Sequence, residues 1–218
     1  MTAGPAAAGV SPRFLDLLAA EGLAGKRVLD VGCGRGRVAL ALAPAAGHVV
    51  GLDRDAEALA EARQLALEAG VENARFHEAD VETVEYVAWA PDLVTAHLCA
   101  SDAIIERAGR ALRPGSCLGM VSLHVDHWRE TGRPSRFAYD EAGMVRSLRA
   151  AGFVPEVIEV ERDVREFSSV EEALAAAVGL EERWKADGRW FRYIAFLEGG
   201  GRTLTRSHLL AMARRRTP

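Results

Sequence analysis

The sequence predicts an α/β domain, with a parallel sheet covered by helices on both faces, and three observations carry that expectation. Short apolar runs alternate with helical segments along most of the chain. The runs are continuously apolar, as strands buried on both faces are. The first of them, "RVLDV", leads straight into a glycine-rich turn, "GCGRG". With 218 residues, 49% of them hydrophobic, the chain can bury one sizeable core, so a single domain over 1–218 is expected.

Taken in order, Ser11-Pro12 pairs a capping hydroxyl with a proline at the first helical position and opens a helix over 11–20, ended by Gly22. "RVLDV" (27–31) is a buried strand, followed by a helix over 37–43 and a strand "HVVGLD" (48–53). The Ala/Leu/Glu-rich segment 55–70 is a helix closed by glycine. "ARFHEAD" (74–80) and "DLVTAHL" (92–98) read as strands, 101–112 as a helix opened by Ser101 or Asp102, and "SCLGMVSLH" (116–124) as the fifth strand. After a polar, irregular stretch (125–137) come a helix (139–153), a strand-like run (154–162), two helices split near Gly188 (169–197) and a closing strand (202–213). The pair 169–197 is a helical insertion before the last strand. No internal repeat or low-complexity linker interrupts the pattern.

Composition excludes several classes. Net charge is −4 with acids and bases intermixed, and the only basic run is 214–216, which reads as a solvated tail; nucleic acid is not an expected partner. Cys33, Cys99 and Cys117 form no C-x-x-C pair and leave one thiol over in any disulfide scheme, so they read as small apolar fillers near strand ends. The N-terminus lacks a basic region followed by a long apolar core, and no segment is apolar enough to span a bilayer. A cytoplasmic protein is expected, with monomer and homodimer both open.

The glycine loop has the spacing Gly32-x-Gly34-x-Gly36, whereas a dinucleotide fingerprint, G-x-G-x-x-G, needs glycine where Arg37 stands. An acid, Asp30, sits inside the strand two residues before the loop. A buried carboxylate repels a pyrophosphate and welcomes a cationic group. The pattern D-x-G-x-G-x-G resembles the first motif of class I S-adenosylmethionine-dependent methyltransferases. Four further stretches are similar to that family: "GLDRD", "HEADVE", "PDLVTAHL" and "RALRPGSCLGMVS", with Ser116 in place of a turn glycine. So is "YDEAGMVRSLRAAGF". The resemblance spans about residues 23–160.

It implies a Rossmann-like class I methyltransferase fold, a mostly parallel seven-stranded sheet with an antiparallel last strand. It also implies S-adenosyl-L-methionine as cofactor, S-adenosyl-L-homocysteine as its product and a small-molecule acceptor. On that resemblance Gly32, Cys33, Gly34 and Gly36 approach the methionine moiety and Asp30 orders its ammonium. Asp53, flanked by Arg54, accepts the ribose hydroxyls; Asp80 and Val81 meet the adenine; His97 and Leu98 border the methyl group.

An acceptor hydroxyl, acidic carbon or ammonium must also lose a proton. His97, at the end of the fourth strand, serves as a base or only packs its ring. "HVDH" offers His124 and His127 with Asp126 between them, as a base with an orienting carboxylate or as a solvated loop; no metal site is assigned. His124 is the first candidate. The Asn/Asp-Pro-Pro-aromatic run of amino-methylating relatives is absent, "HLCASD" standing there, which opposes adenine N6 and glutamine amide acceptors. In the insertion, Trp190, Tyr193 and Ile194 share a helical face, as core or as an apolar lid, and Arg133 and Arg136 are candidate partners for an acceptor carboxylate or phosphate. Three rival readings remain: a non-catalytic S-adenosylmethionine-binding protein, a nicotinamide-dependent oxidoreductase, which the misplaced third glycine and Asp30 oppose, and an RNA or protein methyltransferase.

Overall fold

The computed structural model describes residues 9–217. Residues 1–8, where the stretch that reads as leaderless begins, lie outside the described residues. The elements are α1 (Pro12–Ala20), β1 (Arg27–Val31), α2 (Arg37–Leu42), β2 (His48–Asp53), α3 (Ala56–Glu68), β3 (Ala74–Glu78), β4 (Leu93–His97), α4 (Asp102–Ala111), β5 (Cys117–His124), β6 (Ala138–Tyr139), α5 (Glu141–Ala150), β7 (Phe153–Glu166), α6 (Val170–Ala177), α7 (Glu181–Asp187), α8 (Arg189–Glu198) and β8 (Thr203–Arg215). Four helices start on the side-chain caps their sequences offer. Ser11 accepts from the Phe14 N–H, Asp55 from Glu57 and Ala58, Ser101 from Ile104, and Ser169 from Glu172.

The sheet runs β3-β2-β1-β4-β5-β8-β7, with the two-residue β6 on β5. From β3 to β5 all pairings are parallel. β8 is antiparallel: Gly115 and Ser116, just before β5, exchange backbone hydrogen bonds with Arg215 at the end of β8. This is the mostly parallel sheet with a reversed closing strand that the resemblance implies. The chain moves outward from β1 to β2 and β3, then returns to the other side of β1 as β4. Ligands of open α/β sheets bind at the carboxyl ends of strands at such a reversal.

Where a single domain is expected, the described chain packs as two compact units. One holds the chain up to Ser122, Glu141–Glu159 and the chain from Leu210; the other holds Leu123–Asp140 and Val160–Leu209. Each has its own apolar centre. In the first, α1 and the sheet bury Phe14, Leu18, Val28, Val49 and Leu93 together with α3's Leu59. In the second, Trp128, Phe167, Trp184, Tyr193, Leu197 and Leu204 close on one another, with Trp128 and Trp184 edge to face at 5.0 Å. Tyr193 of the predicted apolar face is therefore core of its own unit, with Trp190 partly buried beside it.

Three further differences have local causes. β7 runs four residues past the strand-like stretch 154–162, through a charged segment with no apolar signal. β6 is too short to carry a pattern. The run 214–216 is not a solvated tail: Arg214 makes bidentate contacts with both Glu21 and Glu156, and Arg215 donates to the carbonyl oxygens of Ala151 and Gly152. All three cysteines are free, and burial raises each thiol, Cys99 to about 11 and Cys117 to about 12, as suits packing residues.

Candidate functional site

The cofactor residues expected from the loop assemble within the first unit, at the carboxyl ends of β1, β2, β3 and β4. All three loop glycines are left-handed, with φ of 67° at Gly32, 50° at Gly34 and 74° at Gly36, a conformation that costs an L side chain about 1–2 kcal/mol. Their surroundings differ. A Cβ on Gly32 would lie 2.3 Å from the Cys99 Sγ, so the residue after Leu98 already fills that notch. A Cβ on Gly34 would meet nothing within 4 Å. Gly34 is thus the point where the turn leaves room for a ligand against bare backbone.

Two carboxylates stand at the strand ends that the loop joins, Asp53 in contact with Gly34 and Asp30 sealed beneath the start of α2. Asp53, half-buried at the end of β2, accepts from the Gly34 N–H at 2.7 Å and from the Asp55 N–H at 3.0 Å through separate oxygens. It ties loop to strand and keeps a lone-pair site on each oxygen. Asp30 is 1% exposed. Its Oδ2 accepts from the Ala39 N–H at 3.1 Å, and its Oδ1 has no partner. Burial, opposed by the Ala39 hydrogen bond and reinforced by the Asp53 charge, lifts its carboxyl to about 7. An orphaned buried carboxylate oxygen suits a cation, reached directly or through water. A second acid with spare acceptors suits a diol, and neither suits a pyrophosphate.

The remaining expected residues line the same edge. Asp80 is exposed after β3 with Oδ1 on the Glu82 N–H, and Val81 is buried with its carbonyl oxygen on the Tyr86 hydroxyl. Arg54 is exposed. His97 ends β4 half-buried, its ring 6.2 Å from that of Phe14, so the ring has a packing partner in α1. Leu98 is left-handed at φ 57° without being glycine, and 43% exposed. Its N–H is held by the Val121 carbonyl oxygen at 2.7 Å, and the next residue, Cys99, is lodged against Gly32. Backbone strain of this kind collects at functional sites.

His124 and His127 belong to the second unit, and both are buried, which sets aside the solvated-loop reading. His124 Nδ1 is 3.1 Å from the Ser207 Oγ and receives the Asp126 N–H at 3.3 Å. Asp126 pairs with Arg162 and stands 3.8 Å from His124 Nδ1, so it is no tight orienting carboxylate. His127 Nδ1 is clamped between the N–H and carbonyl oxygen of Ser207, its ring 5.2 Å from that of His208. Burial, then the His208 charge, pushes it down to about 4. It is a neutral packing group at physiological pH. Arg133 donates to the Asp187 carbonyl oxygen, and Arg136 lies over Phe137.

Sequence reasoning missed Ser207 beside His124 and the seat of Cys99 against Gly32; each meets a residue distant in sequence, and only three-dimensional packing reveals the pairing.

A family model described as a methyltransferase domain matches residues 23–176. Among curated proteins, the ubiquinone biosynthesis O-methyltransferase of Cronobacter sakazakii is 37% identical over 122 residues, 53% of this chain and 50% of that protein. The one from Sodalis glossinidius is 39% identical over 113 residues, 49% of this chain and 45% of that protein. The chain spans about half the length of the curated relatives it matches. Among solved structures, the Bacillus subtilis YcgJ protein superposes with a TM-score of 0.67 at 16% identity, covering 95% of this chain and all of that one. The phosphoethanolamine N-methyltransferase 2 of Haemonchus contortus, solved with S-adenosylhomocysteine, superposes with a TM-score of 0.63 at 20% identity, covering 96% of this chain and 54% of that one.

Proposed function

Because the chain belongs to the methyltransferase-domain family, we propose that it is an S-adenosylmethionine-dependent methyltransferase acting on a small molecule, with an oxygen as the first acceptor to test. The observation that carries this reading is the pairing of open backbone at Gly34 with the unpartnered Asp30 oxygen. The O-methyltransferase relatives support an oxygen acceptor.

When bound, the cofactor supplies a methyl group activated on a sulfonium sulfur. Asp30 would order the ammonium, directly or through water, and Asp53 would accept the ribose hydroxyls while keeping Gly34 in place. Asp80 and Val81 would meet the adenine. Gly32, Cys33 and Gly36 shape the turn without touching chemistry. Cys33 is additionally a poor nucleophile, because burial and the Asp30 and Asp53 charges raise its thiol. His97 and Leu98 border the reacting end of the site. The family's demand on the protein is alignment and exclusion of water more than acid–base work.

For the acceptor, His124 is the first group to test as a base that takes up the hydroxyl proton. His127 stays structural. The test incubates the protein with S-adenosylmethionine bearing a labelled methyl group and a panel of phenols, alcohols, amines and acidic carbons. Label on oxygen acceptors is the expected result. Label on nitrogen or carbon alone overturns the oxygen assignment. Cofactor binding without transfer to any acceptor favours a sensing or scaffolding protein.

A further inference from the structure

β1 and β4 are neighbours, and their register sets Asp30 directly opposite Thr95. Residues paired across a parallel ladder project from the same face, with the strands about 4.8 Å apart. Both side chains are sealed, Asp30 at 1% exposure and Thr95 at 0%, and each carries an unpartnered atom: Oδ1 of Asp30 and Oγ1 of Thr95. The two are chemically complementary, since a carboxylate oxygen needs a donor and a hydroxyl has a proton to give.

Among the described residues, the register places no hydroxyl, amide or charged side chain beside the pair in this row. On the far side of Asp30 the register brings Gly51, whose missing side chain is replaced by Phe76 and Cys33. On the far side of Thr95 it brings Gly119, whose place is filled by Leu18, Met212 and Phe14. Two leftover polar atoms facing the same way from adjacent strands, beyond direct hydrogen-bond reach, fit one bridging water better than two separate orphans.

We propose that Thr95 is the positioning residue for Asp30, its hydroxyl linked to Oδ1 through one buried water so that the carboxylate is held ready for the ammonium of the cofactor. The cofactor part rests on the function proposed above; the pair itself does not. Thr95 touches neither acceptor nor reacting atoms and acts only through Asp30.

The test compares wild type with Thr95→Val, which keeps the shape and β preference of threonine, and Thr95→Ser, which keeps the hydroxyl. Thr95→Ala serves as a second hydroxyl-free variant should the valine form not fold. One readout is the titration of the Asp30 carboxyl in the ligand-free protein, followed by carbon-13 NMR. The other is S-adenosylhomocysteine affinity by calorimetry. The hydroxyl-free variants should move the Asp30 midpoint upward and weaken S-adenosylhomocysteine about tenfold, the worth of one charge-assisted hydrogen bond. Thr95→Ser should track wild type in both. An unmoved Asp30 titration with unchanged affinity overturns the proposal, as does a serine variant no better than valine. If wild type itself fails to bind S-adenosylhomocysteine, the cofactor reading falls, while the ligand-free titration still decides whether Thr95 and Asp30 are coupled.

Discussion

Replacing Gly32 and Gly34 separately by alanine should divide the loop's structural work from its ligand work. At Gly32 the new Cβ meets the Cys99 Sγ at 2.3 Å and the Cys99 Cβ at 2.4 Å, on a backbone with φ 67°. The left-handed backbone costs about 1–2 kcal/mol, and overpacking against a buried side chain adds about 1–3 kcal/mol. The total, roughly 2–5 kcal/mol, corresponds to a midpoint lowered by about 5–15 °C for a chain of this size. Cys99→Gly should relieve the steric part and not the backbone part, so Gly32→Ala/Cys99→Gly should be more stable than additivity predicts by about 1–3 kcal/mol. At Gly34, with φ 50° and open space, only the backbone cost applies, about 1–2 kcal/mol, and the larger effect should be a loss of S-adenosylhomocysteine binding. Urea and thermal unfolding of the four variants, with calorimetry on Gly34→Ala, measure every term. A Gly32→Ala cost below about 1 kcal/mol, or strict additivity with Cys99→Gly, would refute the packing argument.

Two titrating groups give stability slopes of opposite sign. Asp30 moves from 3.8 to about 7 on folding, so between those values the folded chain holds a proton that the unfolded chain has lost, and stability falls as pH rises through the window. His127 moves from 6.5 to about 4, so its contribution is present above 6.5 and is lost as pH falls toward 4. Wild type shows the two partly cancelling. Asp30→Asn should therefore gain on wild type with rising pH between about 4 and 7, by up to roughly 1.4 kcal/mol per pH unit. His127→Gln should gain on it with falling pH over the His127 window. Parallel stability curves for variant and wild type would exclude the assigned shifts. His124→Gln, which cannot take up a proton, should lower O-methyl transfer by about a hundredfold or more in steady-state assays; an unchanged rate would sink the base role.

The residues proposed for the cofactor stand at fixed offsets from strand ends, which is how the resemblance picks out Asp30, the three glycines, Asp53 and Asp80, and the parallel strands that place them announce themselves as apolar runs. The second unit was not legible in the same way. Its core joins Trp128, Phe167, Trp184 and Leu204 from four separate segments, and the charged end of β7 carries no apolar period to mark it as strand. Charge was misleading at 214–216, where arginines that look solvated staple β8 to Glu21, Glu156 and two carbonyl oxygens. The histidines show a third limit. Their spacing names a candidate base, but not that Ser207 and the Asp126 N–H would meet His124 Nδ1, nor that burial among Trp128, Ser207 and His208 would hold His127 neutral.

The most direct test of the central claim is calorimetric titration of wild type and Asp53→Ala with S-adenosylhomocysteine, and of wild type with NAD and NADP. The account predicts that wild type binds S-adenosylhomocysteine and neither dinucleotide. It also predicts that Asp53→Ala, which loses both the ribose acceptor and the Gly34 tether, binds at least about a hundredfold more weakly. Binding of a dinucleotide in place of S-adenosylhomocysteine would contradict the account.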